Sequence, residues 1–73
     1  MTVKVEMLRD PARKIVALAF EASREEDHET LDAVRTAMFG DFEKTAGYVN
    51  SNRLVVHVKV PAEEAARWAE DQQ

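Results

Sequence analysis

The residues from Leu54 to Val60 alternate in polarity, and this pattern most constrains what the chain can fold into. Every second position is Leu or Val, while His57 and Lys59 occupy two of the positions between them. A period of two is typical of a strand with one buried face. Because one strand cannot bury its apolar face alone, the pattern requires a sheet and a layer that covers it.

The same strand belongs to a predicted hairpin over residues 45–60, with Ser51 and Asn52 as a two-residue loop. Directly paired residues of an antiparallel hairpin share a face of the sheet. We therefore expect Val49 on the core face, and Tyr48 on the opposite face together with His57 and Lys59. The predicted pairs are Asn50 with Arg53, Val49 with Leu54, and Tyr48 with Val55.

Residues 2–8 also alternate, which predicts a first strand with Val3, Val5 and Met7 on its core side. Residues 12–22 fit either a helix or a strand. The Asp-Pro pair at 10–11 is a typical helix start, but Ser23 and Glu26 have the spacing of a capping box that begins the next helix. A strand leading directly into that helix needs no break, so we predict a strand after a hairpin turn at residues 10–12. Its core side would be Val16, Leu18 and Phe20, and its other side Ile15, Ala17, Ala19 and Glu21.

Two amphipathic segments predict helices. Residues 24–39 place Leu31, Val34 and Met38 on one stripe, with acidic residues in the first turns and Gly40 as the C-cap. Pro61 opens the last helix, in which Ala65, Trp68 and Ala69 form the apolar stripe, and residues 70–73 are expected to fray.

Together these elements predict one α+β domain over residues 1–73, because a chain of this length holds a single core. The predicted order is ββαββα, a four-stranded, mainly antiparallel sheet with both helices on one face. If residues 12–22 were helical, the order would be βααββα and the sheet would be smaller.

The charges divide between strands and helices. Fourteen acidic and ten basic residues give a net charge of −4. Residues 1–20 and 44–60, which hold the predicted strands, carry seven basic and two acidic groups, whereas residues 21–43 and 61–73 carry three basic and twelve acidic ones. On the predicted fold, the helical side is acidic and the open side of the sheet has a basic rim around apolar residues.

That open side is the predicted partner-binding surface, because an apolar strip with a charged rim is typical of protein contacts. We expect a non-catalytic protein-binding module, such as an adaptor, inhibitor or regulator, that docks a protein through this surface or self-associates through it. The residues expected to carry the contact are Lys4, Ile15, Tyr48, Arg53, Val55, His57 and Lys59.

Two alternatives involve nucleic acid. A basic sheet face with Tyr48 available for base stacking resembles the surface of single-strand binders, although the net charge is negative and no aromatic-rich RNA-binding signature is present. The acidic first helix, with Glu25, Glu26, Glu29 and Asp32, could instead imitate a phosphate backbone.

No motif predicts catalysis, a cofactor or a metal. The chain has no cysteine, and its serines and glycines fit no nucleophile or phosphate-binding motif. His28, Asp32 and Glu25 have helical spacing, but one imidazole among three groups is a weak metal signal. We therefore expect no enzyme activity, and a cytoplasmic location without a signal peptide or membrane contact, since cysteine-free small domains are typical of reducing compartments.

Overall fold

The computed structural model describes residues 2–71 and confirms the predicted α+β order. Residues 15–22 form a strand, so the βααββα alternative is wrong. The elements are β1 (Val3–Arg9), β2 (Ile15–Ala22), a 3₁₀ turn (Glu25–Asp27), α1 (His28–Phe39), β3 (Lys44–Tyr48), β4 (Leu54–Lys59) and α2 (Ala62–Asp71).

The four strands form one open antiparallel sheet in the order β1-β2-β4-β3. β2 and β4 are the central strands of the sheet, and β1 and β3 are its edge strands. Phe20 of β2 is paired with Val5 on one side and Val56 on the other, while its neighbour Ala19 is paired with Glu6 and His57. This register separates an apolar face from a mixed polar face.

Both helices cover the apolar face. Leu31 of α1 and Ala65 of α2 join the buried cluster formed by alternate residues of β2 and β4. Phe39, at the end of α1, lies 5.9 Å from the rings of both Phe20 and Trp68, measured between centroids. The strand members of the cluster are Leu18, Phe20, Ala22, Leu54, Val56 and Val58.

The turn between β1 and β2 is a three-residue loop, residues 11–13, whose last residue is in the left-handed region. The Arg13 amide donates to the Asp10 carbonyl at 2.8 Å, and the Asp10 amide donates to the Lys14 carbonyl at 2.9 Å. Arg13 has φ 67°, the only positive value among the described non-glycine residues. The predicted hairpin turn is therefore present, and it includes one residue more than residues 10–12.

The start of α1 differs from the prediction. A capping box at Ser23 was expected to begin an α-helix at Arg24, but a 3₁₀ turn comes first, without a side-chain cap, and α1 begins at His28. Asp27, buried at this junction, accepts a hydrogen bond from the Thr2 amide at 3.2 Å. This bond joins the residue before β1 to the start of α1, and Gly40 is the C-cap as predicted.

The last helix, α2, runs from Ala62 to Asp71 and packs through two residues of the predicted stripe, the buried Ala65 and the half-buried Trp68, while the side chain of Ala69 lies outside the described part. Residues 70 and 71 are helical, and the predicted fraying of residues 72 and 73 lies outside the described residues. Among the described helices, α1 is the longest with 12 residues, and none is long and apolar enough to cross a bilayer.

Candidate functional site

The face of the sheet opposite the helices is the candidate functional site, and we call it the open face. Its side chains come from the strand positions that alternate with the buried ones, and they align in three cross-strand rows. The rows are Lys4–Glu21–Val55–Gly47, Glu6–Ala19–His57–Thr45, and Leu8–Ala17–Lys59.

Charged groups of both signs border this face. Arg53, in the loop before β4, contacts Glu21 through a charge-assisted hydrogen bond. At the other end of the face, the Lys59 ammonium lies 3.9 Å from a carboxylate oxygen of Glu43. The predicted basic rim is therefore partly neutralised, and the border carries a mixed charge pattern rather than a positive one.

The centre of the open face is a shallow trough along β2. Ala17 and Ala19 project only methyl groups, whereas β1 and β4 on either side carry longer side chains. β1 and β4 are two strand spacings apart, roughly 9.5 Å. This separation is measured between strand backbones, and the side chains of β1 and β4 narrow the trough above its alanine floor.

Five of the seven predicted contact residues lie on or beside the open face, and Ile15 does not. The register shifts between Leu8 and Arg9, so that Leu8 pairs with Ala17 but Arg9 pairs with Ile15. This bulge leaves Val16 as the extra residue and turns Ile15 toward the helices. Ile15 is 5% exposed in the core, whereas Val16, predicted as core, is 43% exposed.

Tyr48 is also on the other face. It pairs with Leu54 rather than Val55, and the connecting loop is residues 49–53 instead of a two-residue loop. The Asn50 side-chain oxygen accepts from the Asn52 and Arg53 amides at 2.9 Å, which stabilises the longer loop. Tyr48 thus lies on the helix side, and Val49, predicted as core, is 60% exposed.

His28 has a structural neighbourhood on the helix side. A ring nitrogen of His28 contacts the Asn52 carbonyl oxygen, and its ring centroid lies 5.7 Å from that of Tyr48. The described residues hold no group of three or more metal-binding side chains. His28 and Tyr48 therefore join the start of α1 to the β3–β4 loop.

The acidic residues proposed to imitate phosphates are exposed on the 3₁₀ turn and α1. Asp32 lies 3.2 Å from the buried guanidinium of Arg35 and 3.9 Å from the Lys44 ammonium. Glu26 lies 3.5 Å from Arg24. Basic neighbours therefore partly neutralise this acidic surface.

A second exposed surface, which the sequence pattern did not predict, is a groove on the helix side that we call the β1 groove. Val5 and Met7 were predicted as core residues, but they are 55% and 45% exposed. Both helices pack over β2 and leave the edge strand β1 partly uncovered. Met38, Phe39 and Trp68 form the rest of the groove, and Met38 is 65% exposed.

Comparison with known proteins found no relative of this chain. No family model, no curated protein and no solved structure matches it. The fold and its surfaces define a small α+β domain, and its function is inferred from the residues of this chain alone.

Proposed function

We propose that the protein is a small, non-catalytic protein-binding module whose open face docks a protein partner. The observation that carries this proposal is the row arrangement of the open face. Leu8, Ala17, Ala19 and Val55 form an apolar strip in the middle of an uncovered sheet, and charged side chains border it. An apolar centre with a polar border is the usual anatomy of a protein–protein interface.

The trough along β2 favours a helix as the docked element. The small side chains of Ala17 and Ala19 allow the ridge of side chains along one helix face to pack between the longer side chains of β1 and β4. A partner helix would place apolar residues over Ala17 and Ala19 while its polar flanks meet Lys4, Glu6 and Lys59. Lys4 and Glu6 lie on the β1 side of the trough and Lys59 on the β4 side, so the matching helix would carry an acidic residue opposite each lysine and a basic residue opposite Glu6.

The contents of the open face favour a protein ligand over nucleic acid. Tyr48, the residue expected to stack on bases, lies on the helix side. Arg53 forms an ion pair with Glu21, which weakens the electrostatic attraction of Arg53 for a phosphate group. The cross-strand neighbours of His57 are Ala19 and Thr45, and neither has a carboxylate that would orient the imidazole as a general base. We therefore assign His57 a role in binding. A cysteine-free chain also supports a role in the reducing cytoplasm.

The test is affinity capture from a lysate of the source cell with three baits, with and without nuclease. Ala19→Lys places a long charged side chain in the trough. Ala46→Lys is the matched control, because Ala46 is an exposed strand alanine on the helix side. Circular dichroism checks that both variants are folded.

The proposal expects a discrete protein captured by the natural chain and by Ala46→Lys, resistant to nuclease, and lost with Ala19→Lys. Capture that disappears after nuclease would assign the protein to nucleic acid instead. Capture that survives Ala19→Lys unchanged would show that the open face is not the docking surface.

A further inference from the structure

We infer that the outer edge of β1 pairs with β1 of a second copy of the chain, antiparallel and related by a two-fold axis at Val5. This inference goes beyond the proposed function and does not rest on it. β1 is an edge strand with seven residues, so its outer backbone groups are open to another strand. Its side chains determine which strand fits.

A two-fold axis at Val5 matches charges across the new strand pair. Residues at equal distances on either side of the axis then lie opposite each other. Lys4 of each copy faces Glu6 of the other, which gives two opposite-charge pairs, and directly opposed charges of this kind stabilise strand pairing. On the helix side, Val5 faces Val5 of the second copy and Val3 faces Met7.

Neighbouring registers of the strand pair bring less favourable side chains opposite each other. An axis at Lys4 or at Glu6 places two like charges directly opposite each other. A pairing centred between two residues sets helix-side positions opposite open-face positions, so it has no two-fold axis. The helices of the two copies would lie on opposite faces, and the exposed valine and methionine would stay uncovered. The axis at Val5 is the register that satisfies both the charges and the apolar face.

Pairing of two copies would explain why the β1 groove exposes large hydrophobic side chains. Val5, Met7 and Met38 are all large hydrophobic side chains exposed beside the same edge. In the two-fold pair the grooves of the two copies adjoin, so that each copy supplies apolar cover to the other. An isologous contact of this kind is self-complementary and closes at two copies.

The other edge strand, β3, offers no comparable match. It has five residues, and pairing about its central Ala46 would place Lys44 opposite Tyr48 and Thr45 opposite Gly47. Neither pair joins opposite charges. Pairing through β1 instead joins two four-stranded sheets into one of eight strands, and the two open faces then lie side by side on one surface.

Charge reversal tests the register, with association measured by sedimentation over a range of concentrations and without any other protein. Lys4→Glu alone makes both charge pairs Glu–Glu, and Glu6→Lys alone makes both Lys–Lys. Each single variant should weaken dimerisation at least about tenfold. The double variant restores two opposite-charge pairs and should recover the dimer, and an equimolar mixture of the two single variants should form a heterodimer.

Val5→Lys supplies a second, independent arm, because it places two like charges on the axis, and Val49→Lys is its control at a similarly exposed valine in the β3–β4 loop. The inference expects Val5→Lys to be monomeric and Val49→Lys to dimerise normally, both with the natural circular dichroism spectrum. A natural chain that stays monomeric up to about 1 mM would overturn it. So would a dimer that neither single charge reversal weakens, or one that the double variant fails to restore.

Discussion

Replacing Arg13 with glycine should stabilise the protein, although the substitution removes a long side chain. Arg13 is the last residue of the β1–β2 turn and has φ 67°, a conformation in which an L residue crowds its own carbonyl. In hairpins with this hydrogen-bond pattern, glycine is the usual residue at the left-handed position. The Arg13 carbonyl accepts from the Arg9 guanidinium at 2.9 Å, and glycine keeps that acceptor.

The magnitude follows from two opposing contributions. The left-handed conformation costs an L residue about 1–2 kcal/mol. Glycine removes that strain but adds roughly 0.5–1 kcal/mol of conformational entropy to the unfolded chain. The difference predicts that Arg13→Gly raises the free energy of unfolding by about 0.5–1 kcal/mol. For a domain of this size, that corresponds to a rise in Tm of roughly 2–8 °C.

Thermal and urea unfolding of the Arg13→Gly variant measure this effect, with Ala12→Gly as the control. Ala12 lies in the same turn but has no positive φ, so glycine there adds only unfolded-state entropy and should lower stability by roughly 0.5 kcal/mol. The free energy of unfolding is expected to rise in Arg13→Gly and to fall in Ala12→Gly. A loss of stability in Arg13→Gly equal to that in Ala12→Gly would refute the strain argument.

Two further pairs of variants test packing. A Cβ at Gly40 would lie 2.6 Å from the Thr36 carbonyl oxygen, so Gly40→Ala should lower the free energy of unfolding by about 1–2 kcal/mol. A Cβ at Gly47 in β3 would meet nothing within 4 Å, so Gly47→Thr should raise the free energy of unfolding slightly. Urea titration measures both. Ile15→Asp buries a carboxylate in the core and should abolish cooperative unfolding near neutral pH, whereas Ala17→Asp, on the open face, should cost less than about 1 kcal/mol. A well-folded Ile15→Asp variant would mean that the bulge does not turn this residue inward.

The strands whose burial depends only on local alternation could be predicted from sequence. The pattern from Leu54 to Val60 gave the correct core face because β4 is central and fully covered on one side. The same pattern in β1 predicted Val5 and Met7 as core residues, which is wrong because β1 is an edge strand that the helices cover only in part. Alternation identifies a strand, but the position of that strand in the sheet determines how much of its apolar side is covered.

The candidate site could be predicted in part. Lys4, Val55, His57 and Lys59 lie on the open face because their strands have regular registers where they occur. Two residues were misplaced by single irregularities. A bulge at Val16 turns the Ile15 side chain to the helix side of the sheet. The longer loop, stabilised by the Asn50 side chain, shifts the pairing of Tyr48 by one residue. Because the side-chain period of a strand is two, each one-residue irregularity moves a side chain to the other face.

The position of Phe39 makes the stability of α2 depend on that of α1. Phe39 contacts Phe20 of the sheet, Phe42 in the following loop and Trp68 of α2. A helix of ten residues is not stable alone in water, so α2 persists only while its apolar side is docked. The Phe39–Trp68 contact is one of two attachments of α2, and the packing of Ala65 in the core beside the sheet is the other. Loosening the last turn of α1 therefore weakens the docking of α2, and the fluorescence of Trp68 reports that change while the sheet stays intact.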